Sequence, residues 1–385
     1  MNVLPSRSLS RPPGGHAVRN ATAADLDRLV AIEEAAFPAD RISRRSFRAL
    51  IDRETAETLV IKARPGAGED AVVLGYAMVL FRRGTALARL YSIAVHPDAA
   101  GRGYGGVLLE AAEEAAFDHD RMLLRLEVRE DNPGAIALYE SRGYRPIGRA
   151  PDYYADGTAA LRFEKTLRGD TPLASGTPYF EQTTDFTCGP ACLMMALARE
   201  NPALDAGPVL EIRLWRESTT VFMMSGMGGC EPFGLAVAAH ERGLRPRILV
   251  STGDLLFMDS VRSVEKKQVM ALAQADFRVR AKAYRIPVER RAFTLNEIRG
   301  VIRAGGMAIV LVSGYYMFGK RVPHWVLAHG DDGRHILIHD PWVDDEEGET
   351  TADAANLPVP HAVFDRMARF GRPGLRAAVL LDGGR

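Results

Sequence analysis

The chain has 385 residues, 47% of them apolar and 25% charged, with 49 basic and 49 acidic side chains. A neutral total gives no electrostatic case for a nucleic acid as main partner, and the length exceeds what one hydrophobic core serves, so two domains are expected. Three cysteines, an odd number, argue against a disulfide framework and for a reducing, cytoplasmic setting.

The first stretch, 1–15, has no apolar core of the kind a secretory signal needs and reads as a disordered leader. No run approaches about 18 apolar residues, so no membrane span is expected. Residues 22–36, TAADLDRLVAIEEAA, place Leu26, Leu29, Ile32 and Ala36 on one face. They predict an amphipathic helix with Thr22 as N-cap and Asp25 in the first turn. FPADRISRRSFRALI adds a turn and a second short helix. Its Arg41, Arg44 and Arg45 either attract an acidic acceptor or form a solvated face, and the solvated face is preferred. TLVIKA and AVVLGYAMVLFRR read as strands around the polar loop RPGAGED, and RGTALARLYSIAV as a strand pair.

That pair leads into 90–116, LYSIAVHPDAAGRGYGGVLLEAAEEAA, which reads as a strand, a tight turn and a helix from about Tyr104. Gly101, Gly103, Gly105 and Gly106 crowd the turn. A glycine turn opening a helix aims unpaired N–H groups and the helix dipole one way, which suits a pyrophosphate. A dinucleotide fold needs an acidic residue about twenty positions on. Glu127 stands 22 beyond Gly105 (127 − 105), but no second strand–helix–strand unit follows it. MLLRLEVRE reads instead as a buried strand, Asn132, Pro133 and Gly134 turn into the helix AIALYESR, and YRPIGRAPDYY and AALRFEKTL close a mixed α/β unit.

HPDAAGRGYGGVLLE followed by LEVREDNPGAIALYESRGY resembles the GNAT acyltransferases over roughly residues 16–167. Within them it is most similar to the ribosomal-protein alanine N-acetyltransferases. The resemblance implies acetyl-CoA as cosubstrate, with its pyrophosphate on the glycine turn. The contacts it implies are Ile93, Ala94, Val95, Gly101, Arg102, Gly103, Tyr104, Gly105, Gly106 and Asn132. Amine acetylation needs one group to take a proton from the amine and one to give a proton to the CoA thiolate. Glu127 and Tyr139, twelve positions apart (139 − 127), match the family's base and acid. Tyr153 and Tyr154 are expected to line the acceptor slot, and an open end there admits a peptide or protein N-terminus. Where the family often has Arg or Gln, this chain has Ala100. One side-chain phosphate contact is lost, and Arg102 is left to supply charge.

Residues 168–177, RGDTPLASGT, read as a linker. The second domain, 178–385, opens with PYFEQTTDFTCGPACLMMALARE, which puts Cys188 at a helix N-terminus. The dipole there favours the thiolate. Gln182, six residues upstream, is a candidate oxyanion donor. A metal pair from Cys188 and Cys192 lacks two further ligands, so no metal is expected. A thiolate needs an imidazole and the imidazole an orienter. RVPHWVLAHG, DDGR and HILIHDPW read as a hairpin whose open end brings His324 to Asp340, whereas His329 and His335 lie near its turn and His339 points to the opposite face.

QTTDFTCGPAC, HWVLAH and HDPW resemble the papain-like superfamily, and among its members the bacteriocin-processing cysteine peptidases and their soluble relatives. The resemblance implies Gln182 as oxyanion donor, Cys188 as nucleophile, His324 as base and Asp340 as orienter. Bacteriocin-processing peptidases usually sit on membrane transporters, and 254–280 looks like an insertion with its own helix, so the substrate class does not carry over. Cys230 reads as a loop or core thiol, MMSGMGG as a linker, and VDDEEGE as a solvated loop rather than a metal site. TLNEIRGVIRAGG is a predicted capped helix and MAIVLVSGYY a central strand. The fold class expected is α/β (α+β): a GNAT mixed sheet with flanking helices, then a papain-like cysteine peptidase domain. Three functions compete: a bifunctional enzyme, an acetyltransferase carrying an inactive peptide-binding module, and a scaffold. The four-residue thiol constellation favours the first, because a binder needs no nucleophile.

Overall fold

A computed structural model describes residues 16–38, 40–63, 72–167, 176–220, 229–344, 349–372 and 374–383. The leader, the RPGAGED loop, most of the 168–177 linker, nearly all of MMSGMGG and the DEEG of the acidic run lie outside the described residues. The chain divides into two compact units, Met1–Arg82 with Leu87–Gly169 and Arg83–Ala86 with Asp170–Arg385.

The first unit is a seven-stranded sheet of β1 (His16–Asn20), β2 (Ala56–Ala63), β3 (Val73–Phe81), β4 (Leu87–Val95), β5 (Leu123–Arg129), β6 (Arg145–Ala150) and β7 (Ala160–Thr166), in the order β1-β2-β3-β4-β5-β7-β6. The helices α1 (Leu26–Ala36) and α2 (Arg44–Ile51) cover one face, and α3 (Tyr104–Asp118) the other. Alternation along β2 divides its side chains accordingly. Val60 packs with Leu29, Ile32 and Phe47, while Ile61 packs with Leu108, Leu109 and Ala112. The predicted 22–36 helix begins as a 3₁₀ turn, Ala23–Asp25. The Asp25 carboxylate reaches back to the Thr22 N–H (2.9 Å) and pairs with Arg19 (2.7 Å), which tightens that turn.

The expected strand pair in RGTALARLYSIAV is a single strand, β4. Residues 83–86 make the turn before it, with Gly84 at φ +70°, a conformation glycine adopts without strain. β4 pairs in parallel with β5 only from Leu87↔Leu123 to Leu90↔Leu126. Beyond that β4 follows β3 up to Gly75↔Val95, and β5 follows β7 up to Arg129↔Ala160. The β3–β4 register shifts at Tyr91, where the ladder with β5 stops, and a bulge bends its strand away from a neighbour. The two central strands therefore part and open a cleft. Ile93, Ala94 and Val95 stand on one strand and Glu127 on the other.

The second unit also holds a seven-stranded sheet: β8 (Pro246–Val250), β9 (Val288–Glu289), β10 (Met307–Ser313), β11 (Pro323–Asp331), β12 (His335–His339), β13 (Leu357–Pro360) and β14 (Ala377–Leu381). The order is β13-β12-β11-β10-β14-β8-β9. β10 is buried at every position, as expected of a central strand. α5 (Cys188–Glu200) and α7 (Pro232–His240) share one apolar cluster with Met307, Ile309 and Leu311 of β10 and Trp325 and Leu327 of β11. α8 (Val264–Ala283) occupies the predicted insertion. Gln274 fastens it, its amide bonding both the N–H and the C=O of Leu256 (2.8 and 2.9 Å). α9 (Leu295–Arg303) carries a Thr294–Glu297 capping box. Among the described residues, no helix is long and apolar enough to cross a membrane.

Candidate active sites

The glycine turn of the first unit ends with Gly101 at φ +74° and Gly103 at φ +82°, and Gly103 caps α3 in the left-handed region. Among the described residues, the backbone N–H groups of Arg102, Gly103, Tyr104 and Gly105 find no acceptor in the protein. Helix starts leave such donors by construction, and here they belong to a tight turn that follows β4. That donor set fits a pyrophosphate. The Tyr104 hydroxyl is bonded to His16 and its ring is buried, so it supports the turn from behind. Asn132 caps α4 (Pro133–Ser141), its side-chain oxygen accepting the Ala135 N–H at 3.1 Å. Its amide nitrogen has no hydrogen-bond partner among the described residues.

Glu127 and Tyr139 are both buried, the Glu127 side chain at 5% exposure. Burial pushes the Tyr139 phenol up to about 12, so it keeps its proton at neutral pH. Its ring meets Tyr144 edge-on at 5.7 Å and Phe163 at 6.4 Å. Tyr153 and Tyr154 pack edge to face at 5.0 Å, and the Arg129 guanidinium sits 4.9 Å from the Tyr154 ring centre. Tyr154 is raised by burial and then by Tyr153, Glu127 and Tyr139, which sets it within electrostatic reach of both proposed reacting groups.

Two features here escaped sequence reasoning. Glu127 Oε2 accepts from Arg89 Nε at 2.9 Å, and its Oε1 lies 3.8 Å from Arg162 Nε, so the carboxylate sits between two guanidiniums. Glu33 of α1 is a second buried carboxylate. It accepts the Ile42 N–H (2.7 Å) and the Tyr76 hydroxyl, and that hydroxyl also meets Ser92 of β4 at 2.9 Å. An Arg162 register signal existed, since Glu127 and Arg162 are cross-strand partners. Nothing local marked Glu33, which falls on an ordinary amphipathic helix.

In the second unit, the backbone places Cys188 at the first position of α5, 9% exposed. His324 opens β11 and Asp340 follows β12. His324 Nε2 and Asp340 Oδ1 are 2.6 Å apart, and the Trp342 N–H donates to the same oxygen at 3.0 Å. Nε2 is committed to Asp340, and Cys188 stands close enough to act on the imidazole. Burial pulls the imidazole down, but Asp340 and then Cys188 overcome it and leave it pushed up to about 10. Phe318 meets the imidazole edge-on at 5.4 Å. The Gln182 N–H donates to the Pro341 carbonyl at 2.8 Å, which ties the segment before α5 to the residue after Asp340. One amide proton of Gln182 goes to the Thr184 carbonyl (2.8 Å), and the other has no acceptor among the described residues.

Cys192 is fully buried against the Trp325 carbonyl (3.4 Å), and Cys230 is buried beside Ser218 (3.1 Å); burial raises both thiols. His329 lies on β11 near the hairpin turn, and a bulge between Ala328 and Gly330 sets its ring against His339, with ring centres 4.0 Å apart. His339 is fixed by the Thr177 carbonyl and the Asn356 N–H, each at 3.0 Å. Among the described residues, no three His, Cys, Asp or Glu side chains converge as metal ligands.

Comparison with known proteins gives a different family for each half of the chain. A family described as Peptidase_C39 like matches residues 177–382, and the acetyltransferase (GNAT) family matches residues 26–144. A Bacillus subtilis (strain 168) protein bearing the name ribosomal protein bS18-alanine N-acetyltransferase is 30% identical over 140 residues, 36% of this chain and 87% of that protein. The ribosomal protein bS18-alanine N-acetyltransferase of Salmonella typhimurium is 43% identical over 67 residues, 17% of this chain and 45% of its own length. The crystal structure of the Escherichia coli ribosomal-protein-S18-alanine N-acetyltransferase covers 40% of this chain and 96% of its own, at 26% identity and a TM-score of 0.35.

Proposed function

Because the chain belongs to the Peptidase_C39 like family through residues 177–382 and its first unit is a GNAT acetyltransferase domain, we propose that it is a two-site enzyme. One site transfers acetyl from acetyl-CoA to an amine, with a peptide or protein N-terminus as acceptor. The other cleaves peptides with a thiolate. The observation that carries the acetyl-transfer reading is the row of acceptorless N–H groups from Arg102 to Gly105 beside the parting of β4 and β5.

Bound acetyl-CoA supplies an acetyl group activated as a thioester. The protein's own part is to hold the phosphates on the α3 amides and to line the pantetheine arm with Ile93, Ala94 and Val95. Glu127 takes the proton from the acceptor amine, and Tyr139 keeps a proton for the sulfur. In the second site the Cys188 thiolate attacks a peptide carbonyl, and the Gln182 amide donates to the developing oxyanion. The His324 imidazolium, held by Asp340, protonates the leaving amine. The reading of His324 as acid is supported by its rise to about 10, which keeps it charged at neutral pH.

Two measurements test these roles separately. Acetyl-CoA should bind the purified chain in calorimetry, and a clean absence of heat removes the acetyl-transfer site. Iodoacetamide near neutral pH should label Cys188 faster than Cys230, at a rate that falls in H324A. Equal labelling with no dependence on His324 leaves a peptide-binding module in place of a peptidase.

A further inference from the structure

The carboxylate proposed as the acetyl-transfer base is held by a residue with a second attachment. Arg89 lies on β4, two positions before the bulge at Tyr91. Its Nε donates to Glu127 Oε2 at 2.9 Å, and its Nη2 donates to the Tyr153 hydroxyl at 3.0 Å. The Arg89 side chain is 6% exposed, and its guanidinium carbon stands 5.6 Å from the Tyr91 ring centre. A guanidinium is planar and its donors diverge at fixed angles, so bonds to two partners set the direction of both. One side chain thus connects the strand proposed to line acetyl-CoA, the carboxylate across the cleft and a tyrosine of the proposed acceptor slot.

A second buried pair on the same sheet shows what a purely structural arrangement looks like. Arg125, two residues before Glu127 on β5, bonds Glu164 of β7 at 2.8 Å, and Arg145 of β6 bonds the same carboxylate at 2.9 Å. The Arg125 and Glu164 side chains are as buried as the Arg89–Glu127 pair, at 5% and 6%. That network ties three neighbouring strands together and includes none of the proposed reacting groups.

We infer that Arg89 is a positioning residue for amine acetylation, holding the Glu127 carboxylate and the Tyr153 hydroxyl from one guanidinium. The inference rests on the acetyl-transfer reading above. Without Arg89 the carboxylate loses one of the two guanidiniums that set its direction, and misplacement of a reacting group by about an ångström costs on the order of 10²-fold in rate.

The test is a cycle of full-length variants assayed with acetyl-CoA and a synthetic peptide bearing a free N-terminal alanine. The expected result for R89M is a fall in kcat of about 10²-fold with the KM for acetyl-CoA unchanged, since Arg89 precedes the Tyr91 bulge on β4 whereas the proposed phosphate cradle begins at Arg102. R89K, which keeps the charge and loses the fork, should recover part of the rate. In an E127Q background, R89M should cost less than about threefold more, because the group it positions is already gone. R125M is the control. It breaks an equally buried pair and should lower Tm without this coupling. If R89M no longer binds acetyl-CoA in calorimetry, the R89K and E127Q pair decides by the same rule. Loss of rate in E127Q with R89M near wild type, or with losses that multiply, overturns the positioning role alone. Full activity in E127Q overturns the reading of Glu127 itself, and the inference with it.

Discussion

Replacing Glu231 with Gln should remove a pH-dependent weakness from the second unit. Glu231 caps α7, with Oε1 accepting the Gly234 N–H at 2.8 Å. Its Oε2 is buried and has no hydrogen-bond partner among the described residues, and the residue is 0% exposed. Burial pushes the carboxyl up from 4.5 to about 7, against the opposing pull of Arg278 and the Gly234 and Phe233 amides. For an acid raised on folding, the associated stability is fully present below the unfolded value and is lost as pH rises through the folded one. The window is therefore pH 4.5 to about 7, and the step across it corresponds to about 3 kcal/mol. Gln keeps an oxygen for the cap and cannot ionise. All three tryptophans, Trp215, Trp325 and Trp342, lie in the second unit, so their fluorescence in urea melts of the whole chain follows that unit alone. The buried amide N–H₂ of the variant adds an offset that does not change with pH, so the quantity to read is the change in the gap between the two proteins. From pH 4.5 to pH 8 that gap should move by about 3 kcal/mol in favour of E231Q. A gap that stays constant over the range refutes the placement of an ionising, unpartnered carboxylate at this helix start.

Two further outcomes follow from the two sites. Asp340→Asn preserves the shape beside His324 but removes the charge that holds the imidazolium, so alkylation of Cys188 by iodoacetamide at pH 7.5, followed by mass spectrometry, should slow at least about tenfold. An unchanged rate would show Asp340 to be idle. Gly103→Ala puts a Cβ on a φ of +82°, strained by about 1–2 kcal/mol although nothing lies within 4 Å of that Cβ, and acetyl-CoA should bind about tenfold more weakly in calorimetry. Gly105→Ala has neither strain nor crowding, its Cβ standing 3.8 Å from Leu138, so any loss there measures clearance for the ligand alone.

Legibility in the sequence followed sequence distance and register. The glycine turn and its helix are local, and glycines with a helical run behind them suffice to read them. His324 and Asp340 are 16 residues apart on one hairpin, so the pairing of two adjacent strands is enough to bring them together. Arg89 and Glu127 are 38 residues apart. Their meeting depends on β4 and β5 being parallel neighbours across the α3 crossover and on how far that ladder runs, which no local pattern encodes. The His329–His339 stack depends on a one-residue bulge, and a bulge reassigns faces without leaving a mark in the hydrophobic alternation. Turn residues 83–86 read as strand because Ala86 and Leu87 are apolar, whereas Gly84 alone carried the opposite signal.

The two proposed sites solve one proton problem with opposite materials. Each reaction ends with a leaving group that needs a proton at neutral pH, a CoA sulfur in one and an amine in the other. In the first unit the phenol holds its proton at neutral pH by its own nature, and burial, which raises Tyr139 to about 12 without any charged partner, adds to that margin. In the second it is kept by charge. Burial alone would strip the His324 imidazole of its proton, and the fully buried Asp340, held by the Trp342 N–H, reverses the balance. The two arrangements respond differently to water. Admitting solvent at Tyr139 restores an ordinary phenol, which is still protonated at pH 7. Admitting it at His324 weakens the attraction to Asp340 and returns the imidazole toward a value near 6.5, where it is mostly neutral at the same pH. The thiol site therefore depends far more on the packing around it, and Phe318, edge-on to the imidazole at 5.4 Å, is the side chain on which that dependence falls.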